Sequence, residues 1–247
     1  MQTLADNKET DLNELNAKVH AITHSCSKPY FRKTLERMID TDPENCNYIC
    51  DYILAEQSEI NLKDSTKEGK IKVLIWPSVS LGGKPLHRAT KQDILSCLDS
   101  LRRSLSEDPN RKWIGSYNSR QMILNKFFRW LYNPDEPDQK KRITPPCVAG
   151  IRKLPRGQSS PYKPSDLWDS REHSIFLRYC PSNRDRCYHA MANDMSARPH
   201  EILNLRIKDI QFKTTEEGTQ YAEVLITGGK TKPRTLPLIE SLPWRIR

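Results

Sequence analysis

Apolar positions recur along this chain at two different spacings, and the change from one to the other divides it. Up to about residue 205 the spacing is helical. In 29–40, Phe31, Leu35 and Met38 share one helical face. Asp42 followed by Pro43 reads as an N-cap with proline at the first helical position, and Ile49, Tyr52, Ile53 and Leu54 follow. Residues 61–72 are polar and read as a loop, and the tight apolar run 73–76 is strand-sized. Thr90 opens the next helix, with Asp93 placed to reach back as in a capping box. Ile94, Leu95, Leu98, Leu101 and Leu105 continue its face until Asp108-Pro109-Asn110 ends it.

A second strong helix is predicted over 119–132. Met122, Ile123, Phe127, Trp130 and Leu131 form one side, and Arg120, Lys126 and Arg129 occupy others. Further helices are expected over 170–180, carrying Ile175, Phe176 and Tyr179, and over 185–195. Another starts at Pro199 and buries Ile202, Leu203 and Leu205. Past residue 210 the pattern turns to strands: 210–212, 221–227 and 234–238. The last two flank Gly228-Gly229 and read as a hairpin. The fold class expected is mainly α with a small antiparallel β-sheet.

Composition narrows the functional classes. No apolar run in the 247 residues approaches the roughly 18 that a membrane span needs. The first residues are polar and acidic, unlike a secretory signal. The expectation is therefore a cytoplasmic protein with no membrane partner. Lys and Arg total 40 against 31 Asp and Glu, a formal charge of +9, which favours a polyanion such as nucleic acid. The charge is uneven. Residues 139–164 hold seven Lys/Arg, five Pro and no Asp/Glu, which reads as an extended interdomain linker that contacts phosphate. The expected phosphate-contacting cations are Lys112, Arg120, Lys126 and Arg129 on the helices, and Lys140, Lys141, Arg142, Arg152 and Lys153 in the linker, contacts to DNA if the nucleic acid is DNA.

The seven cysteines are irregularly spaced and read as free thiols. Cys46 and Cys50 are the only close pair. Cys180, Cys187, His189 and His200 form a loose cluster that reads as buried thiols rather than a zinc site, so neither metal nor cofactor is expected. Trp113, Tyr117 and Trp130 raise a competing possibility, base stacking in an RNA-binding protein, although the helical phase of Trp130 places it in a core.

Two motifs carry more specific chemistry. Ser-Ala-Arg-Pro-His-Glu-Ile-Leu-Asn-Leu occupies 196–205, and Gly-Gly-Lys-Thr-Lys-Pro-Arg-Thr-Leu-Pro-Leu occupies 228–238. A phosphodiester under attack gains charge on its non-bridging oxygens. A guanidinium can meet two of those oxygens and stays charged, and a helix N-terminus adds to its field. A lysine on a mobile turn can hand its proton to a departing oxygen.

In order and spacing these motifs resemble the tyrosine recombinase (phage integrase, Xer-like) family, its archaeal branch included, over about residues 43–242. The resemblance implies an N-terminal helical extension (1–42) and a helical core-binding, SAM-like domain (43–135). A basic linker (136–165) and the N-terminal part of a catalytic domain (166–247) follow. It makes Arg198 the first catalytic arginine and Lys230 the hairpin lysine, with Lys232 the nearest competitor. It gives Glu201 the role of orienting Arg198, and Arg234 a contact to backbone or phosphate. Double-stranded DNA and further recombinase protomers are the partners implied, in DNA integration or site-specific recombination.

The family completes its site with His-x-x-Arg, a further His or Trp, and a nucleophilic tyrosine, all beyond the hairpin lysine. The 17 residues after Lys230 contain neither His nor Tyr. The expectation is an incomplete catalytic domain that binds DNA but does not cut it alone. The alternative is a non-catalytic, basic helical nucleic-acid-binding or interaction protein.

Overall fold

The computed structural model describes residues 4–155, 163–228 and 232–239. The chain divides into two compact units, Met1–Ser159 and Ser160–Arg247.

The first unit is helical. Its described helices are α1 (Leu4–Thr23), α2 (Pro29–Thr41), α3 (Pro43–Ile60), α4 (Asp64–Ser80), α5 (Lys91–Asp99) and α6 (Trp113–Leu131). α1 packs on α2 and α3 through Leu15, Val19 and Ile22, which lie four and three residues apart and so share a face. Asp42 separates α2 from α3. Its backbone N–H closes the end of α2 on the Met38 carbonyl, 2.8 Å away, and its carboxylate caps α3 by accepting from Asn45 N–H. Asn45 then ties this corner to the rest of the unit. Its amide donates to the Lys84 carbonyl at 3.0 Å and its oxygen accepts from Leu86 N–H at 2.7 Å.

α4 overturns a sequence reading. Residues 64–72 are helical rather than loop, and the short apolar run 73–76 continues the same helix. The polar half hides two buried lysines. Lys67 is fully buried, with its ammonium 2.6 Å from Ser25 Oγ and 2.9 Å from Asp64. Lys70 forms a buried ion pair with Glu56 of α3. Long side chains can bury their alkyl stems when the charged end finds a partner, so this polar stretch has a core-facing side.

The capping box at Thr90 and Asp93 is present, with Thr90 N–H 2.7 Å from the Asp93 carboxylate. α5 stops at Asp99, however, and Leu105 is 59% exposed instead of extending the apolar face. α6 starts six residues earlier than predicted, and Met122 points outward. Its Phe127, Phe128 and Trp130 meet Ile49, Tyr52 and Ile53 of α3 and Leu74 of α4 in the core. Tyr52 and Phe127 pack edge to face with centroids 5.3 Å apart.

The basic window is not a free linker. Through residue 155 it belongs to the first unit. Cys147 and Val148 are buried in the core, and Ile151 and Leu154 pack against it. Asn118 of α6 holds both backbone groups of Leu154, at 2.9 and 2.8 Å, and Gln121 donates to the Ile151 carbonyl at 2.9 Å. Prolines and glycines ended regular structure here, but side chains of α6 took over the backbone hydrogen bonds that secondary structure would have made.

The second unit combines α7 (Ser170–Tyr179), α8 (Asn183–Met195) and α9 (Pro199–Leu203) with an antiparallel sheet of β1 (Ile210–Thr214), β2 (Gln220–Ile226) and β3 (Arg234–Leu238). The strand order is β1-β2-β3, with Ile210 opposite Val224 and Ile226 opposite Arg234. Ala222, Val224 and Ile226 of the central strand share one face and pack with Met191, Met195, Ile202 and Leu238. The expected faces of two helices differ. In α7 Leu177 is buried, while Ile175 is exposed and Tyr179 is 83% exposed. In α9 Leu203 is exposed. Among the described residues no helix is long and apolar enough to cross a membrane.

Candidate functional site

The second unit brings two arginines from different elements onto one carboxylate. α8 ends at Ser196, whose left-handed backbone (φ 48°) reverses the chain while its N–H caps the Ala192 carbonyl at 3.0 Å. Arg198 follows in extended conformation, and Pro199 starts α9. The third helical position is Glu201. Its carboxylate reaches back to Arg198 N–H at 3.0 Å and to Arg198 Nη1 at 3.2 Å. From the start of β3, Arg234 completes the set, with Nη2 2.7 Å and Nη1 3.3 Å from the two oxygens. The register of β3 against β2 fixes where Arg234 stands.

Burial separates the roles. The Glu201 side chain is fully shielded from solvent, while those of Arg198 and Arg234 are 47% and 32% exposed. The Arg234 guanidinium and the Arg198 N–H hold the Glu201 carboxyl down at about 2, well below its ordinary 4.5, against the opposing effect of burial. Glu201 is therefore ionised at neutral pH and has both oxygens engaged. It is unsuited to proton transfer and suited to fixing two guanidiniums. One negative charge beneath two positive ones leaves a net positive, partly exposed surface.

This stabilisation has a defined pH window. A carboxyl whose value falls on folding contributes fully above its unfolded value, and the contribution is lost as pH falls through the folded one. The Glu201 contribution should therefore be complete above about 4.5 and disappear on approach to about 2. Amide shifts of Ala222 and Val224, followed through an acid titration, should report loosening of the sheet in that window. Glu201→Gln should flatten this acid dependence. Identical acid profiles for the two proteins would exclude the assignment.

Arg234 is ion-paired to Glu201, a partner that the sequence did not suggest for it. Lys230 lies outside the described residues, and Lys232 is exposed. Beside Glu201 a groove of about 360 Å³ also takes in Arg206 and Lys208. The sequence reading passed over both, although they follow directly on the 196–205 motif. Asp209 fixes the start of their turn by accepting from Arg206 N–H at 2.9 Å.

The cations of the first unit divide into two groups. Lys112, Lys126, Lys140, Lys141, Arg152 and Lys153 are exposed. Arg120 is half-buried, 4.3 Å over the Trp76 ring, and burial lowers its guanidinium from the ordinary value. Arg129 donates to the Arg142 carbonyl at 2.8 Å and the Lys140 carbonyl at 3.2 Å. Arg142 leaves the set of DNA-contacting cations. It is buried and bonded to Glu59 at 2.6 Å.

The remaining candidates are structural. Tyr117 and Trp130 are buried, so neither presents a face for base stacking. Cys180 is buried and its thiol lies 3.6 Å from the Ser182 carbonyl, while Cys187 lies 3.7 Å from Met191 Sδ. Cys46 and Cys50 are buried in α3. Among the described residues no group of three His, Cys, Asp or Glu is placed to hold a metal ion. No family model matches this chain, and no curated protein or solved structure matches it either.

Proposed function

We propose that this chain binds duplex DNA, with Arg198 and Arg234 receiving one backbone phosphate. The observation that carries the reading is the pair of arginines held on the buried Glu201 carboxylate. Orienting a guanidinium in advance removes much of the entropy a free arginine would lose on gripping phosphate oxygens. Arg206 and Lys208 extend the same positive surface, and the exposed lysines and arginines of the first unit add sequence-independent attraction. A role in DNA integration or recombination rests on the resemblance of 196–205 and 228–238 to tyrosine recombinases. In that reading Lys230 is the proton donor to the leaving oxygen.

A mobility-shift series with a short duplex in rising salt tests the proposal. The logarithm of the binding constant should fall linearly with the logarithm of salt concentration, with a slope of about −0.9 per phosphate contact. Arg198→Ala should weaken binding about tenfold and make the slope shallower by about one contact. A flat salt response would sink the proposal. So would equal or tighter binding of single-stranded RNA at matched salt, which would favour the interaction-protein alternative.

A further inference from the structure

The first unit contains a pocket of about 210 Å³ between α3, α6 and the turn around 139–142. Four cationic side chains line it, Lys126, Arg129, Lys140 and Arg142, against one carboxylate, Glu56. That carboxylate is already used. It accepts from the Tyr52 hydroxyl at 2.7 Å and is ion-paired with buried Lys70.

The walls are also internally satisfied. Arg129 bonds the carbonyls of Arg142 and Lys140, and Arg142 bonds the Glu136 carbonyl at 2.8 Å and Glu59. Gln139, the remaining lining residue, donates to the other Glu59 oxygen at 3.0 Å. These bonds hold the turn against α3 and α6. No carboxylate lies within ion-pair distance of the Lys126 or Lys140 ammonium among the described residues. The pocket thus presents surplus positive charge on a braced frame. Burial and the neighbouring Lys126 charge both push the Lys70 ammonium below its ordinary value, a sign that positive charge is crowded here.

The geometry points to a binding site for a multiply charged phosphoryl anion, clasped between Lys126 on α6 and Lys140 on the turn. The Tyr52 ring is 1% exposed, so the pocket has no aromatic face on which a base could stack. The anion is either a free phosphoryl group, as in phosphate or pyrophosphate, or a phosphate of DNA. The site does not depend on the reading of Arg198 and Arg234.

Titration calorimetry of the full chain with sodium pyrophosphate, at constant ionic strength, tests it. One equivalent should bind. The variant Lys126→Gln with Lys140→Gln should bind at least tenfold more weakly, at unchanged circular dichroism. Lys33→Gln with Arg37→Gln, which removes two exposed cations outside the pocket, should bind as the parent does. Equal weakening in both double variants would report diffuse attraction and overturn the proposal, as would unchanged binding in the first. A duplex with 5′-hydroxyl ends separates the sources. Displacement of pyrophosphate identifies internal phosphodiesters as occupants, and its absence identifies a free phosphoryl group; both outcomes support the pocket. Loss of duplex binding with pyrophosphate binding retained would remove only the nucleic-acid reading above.

Discussion

Replacing Glu56 with leucine is expected to destabilise the first unit by about 3–5 kcal/mol, more than a hundredfold in its folding equilibrium. The Glu56 side chain is 2% exposed and that of Lys70 is 8% exposed. Removing the carboxylate leaves an ammonium in the core with water excluded and Lys126 repelling it. It also strips the Tyr52 hydroxyl of its acceptor. The cost is therefore that of an uncompensated buried charge, not that of a lost surface ion pair. The double variant Glu56→Leu, Lys70→Met should recover most of the loss, because apolar groups of similar volume often replace a buried pair at little cost. Urea unfolding followed by far-ultraviolet circular dichroism, which the first unit's helices dominate, measures both. A double variant as unstable as the single one would show that the pair is not what holds α4 to α3.

Phe127→Ala carries the second large expected effect, about 3–5 kcal/mol in the same unfolding measurement. Phe127 is fully buried and touches three aromatic rings: Tyr52 at 5.3 Å, Phe128 at 5.2 Å and Trp130 at 6.4 Å. Truncation removes the transfer energy of the ring and leaves a cavity whose stiff aromatic walls cannot collapse. Tyr52 belongs to both features, with its ring against Phe127 and its hydroxyl on Glu56. The two substitutions should therefore fail to add, with a coupling of about 0.5–3 kcal/mol. Strict additivity would mean that Tyr52 transmits nothing between the aromatic core and the floor of the anion pocket.

The candidate site was partly legible before the structure. The Arg-Pro-His-Glu stretch predicts a helix start with Glu201 one turn from Arg198, and i,i+3 spacing alone brings their side chains together. Arg234 was visible as a basic residue at a strand start, but its pairing with Glu201 was not. The two are 33 residues apart, and only the β2–β3 register carries one to the other. The basic window shows the opposite failure. Its composition is that of a linker, yet Arg142 reaches Glu59, 83 residues away, and Cys147 and Val148 enter the core.

What the sequence determined by itself is the local layer. α2 and α3 around Asp42-Pro43, the capping box at Thr90, the change from helical to strand spacing near residue 210, and the hairpin pairing of β2 with β3 all follow from residues that act within a few positions of one another. Tertiary structure alone decided which charged residues are structural and which are available. Lys67 and Lys70 look like solvent-facing residues of a loop until Ser25 and Glu56 arrive from 42 and 14 positions away. Arg142 looks like a DNA contact until packing buries it against Glu59. The physical reason is the same in each case. A buried charge is tolerated only with a partner, and the partner is chosen by packing across the chain, which no periodicity along it can reveal.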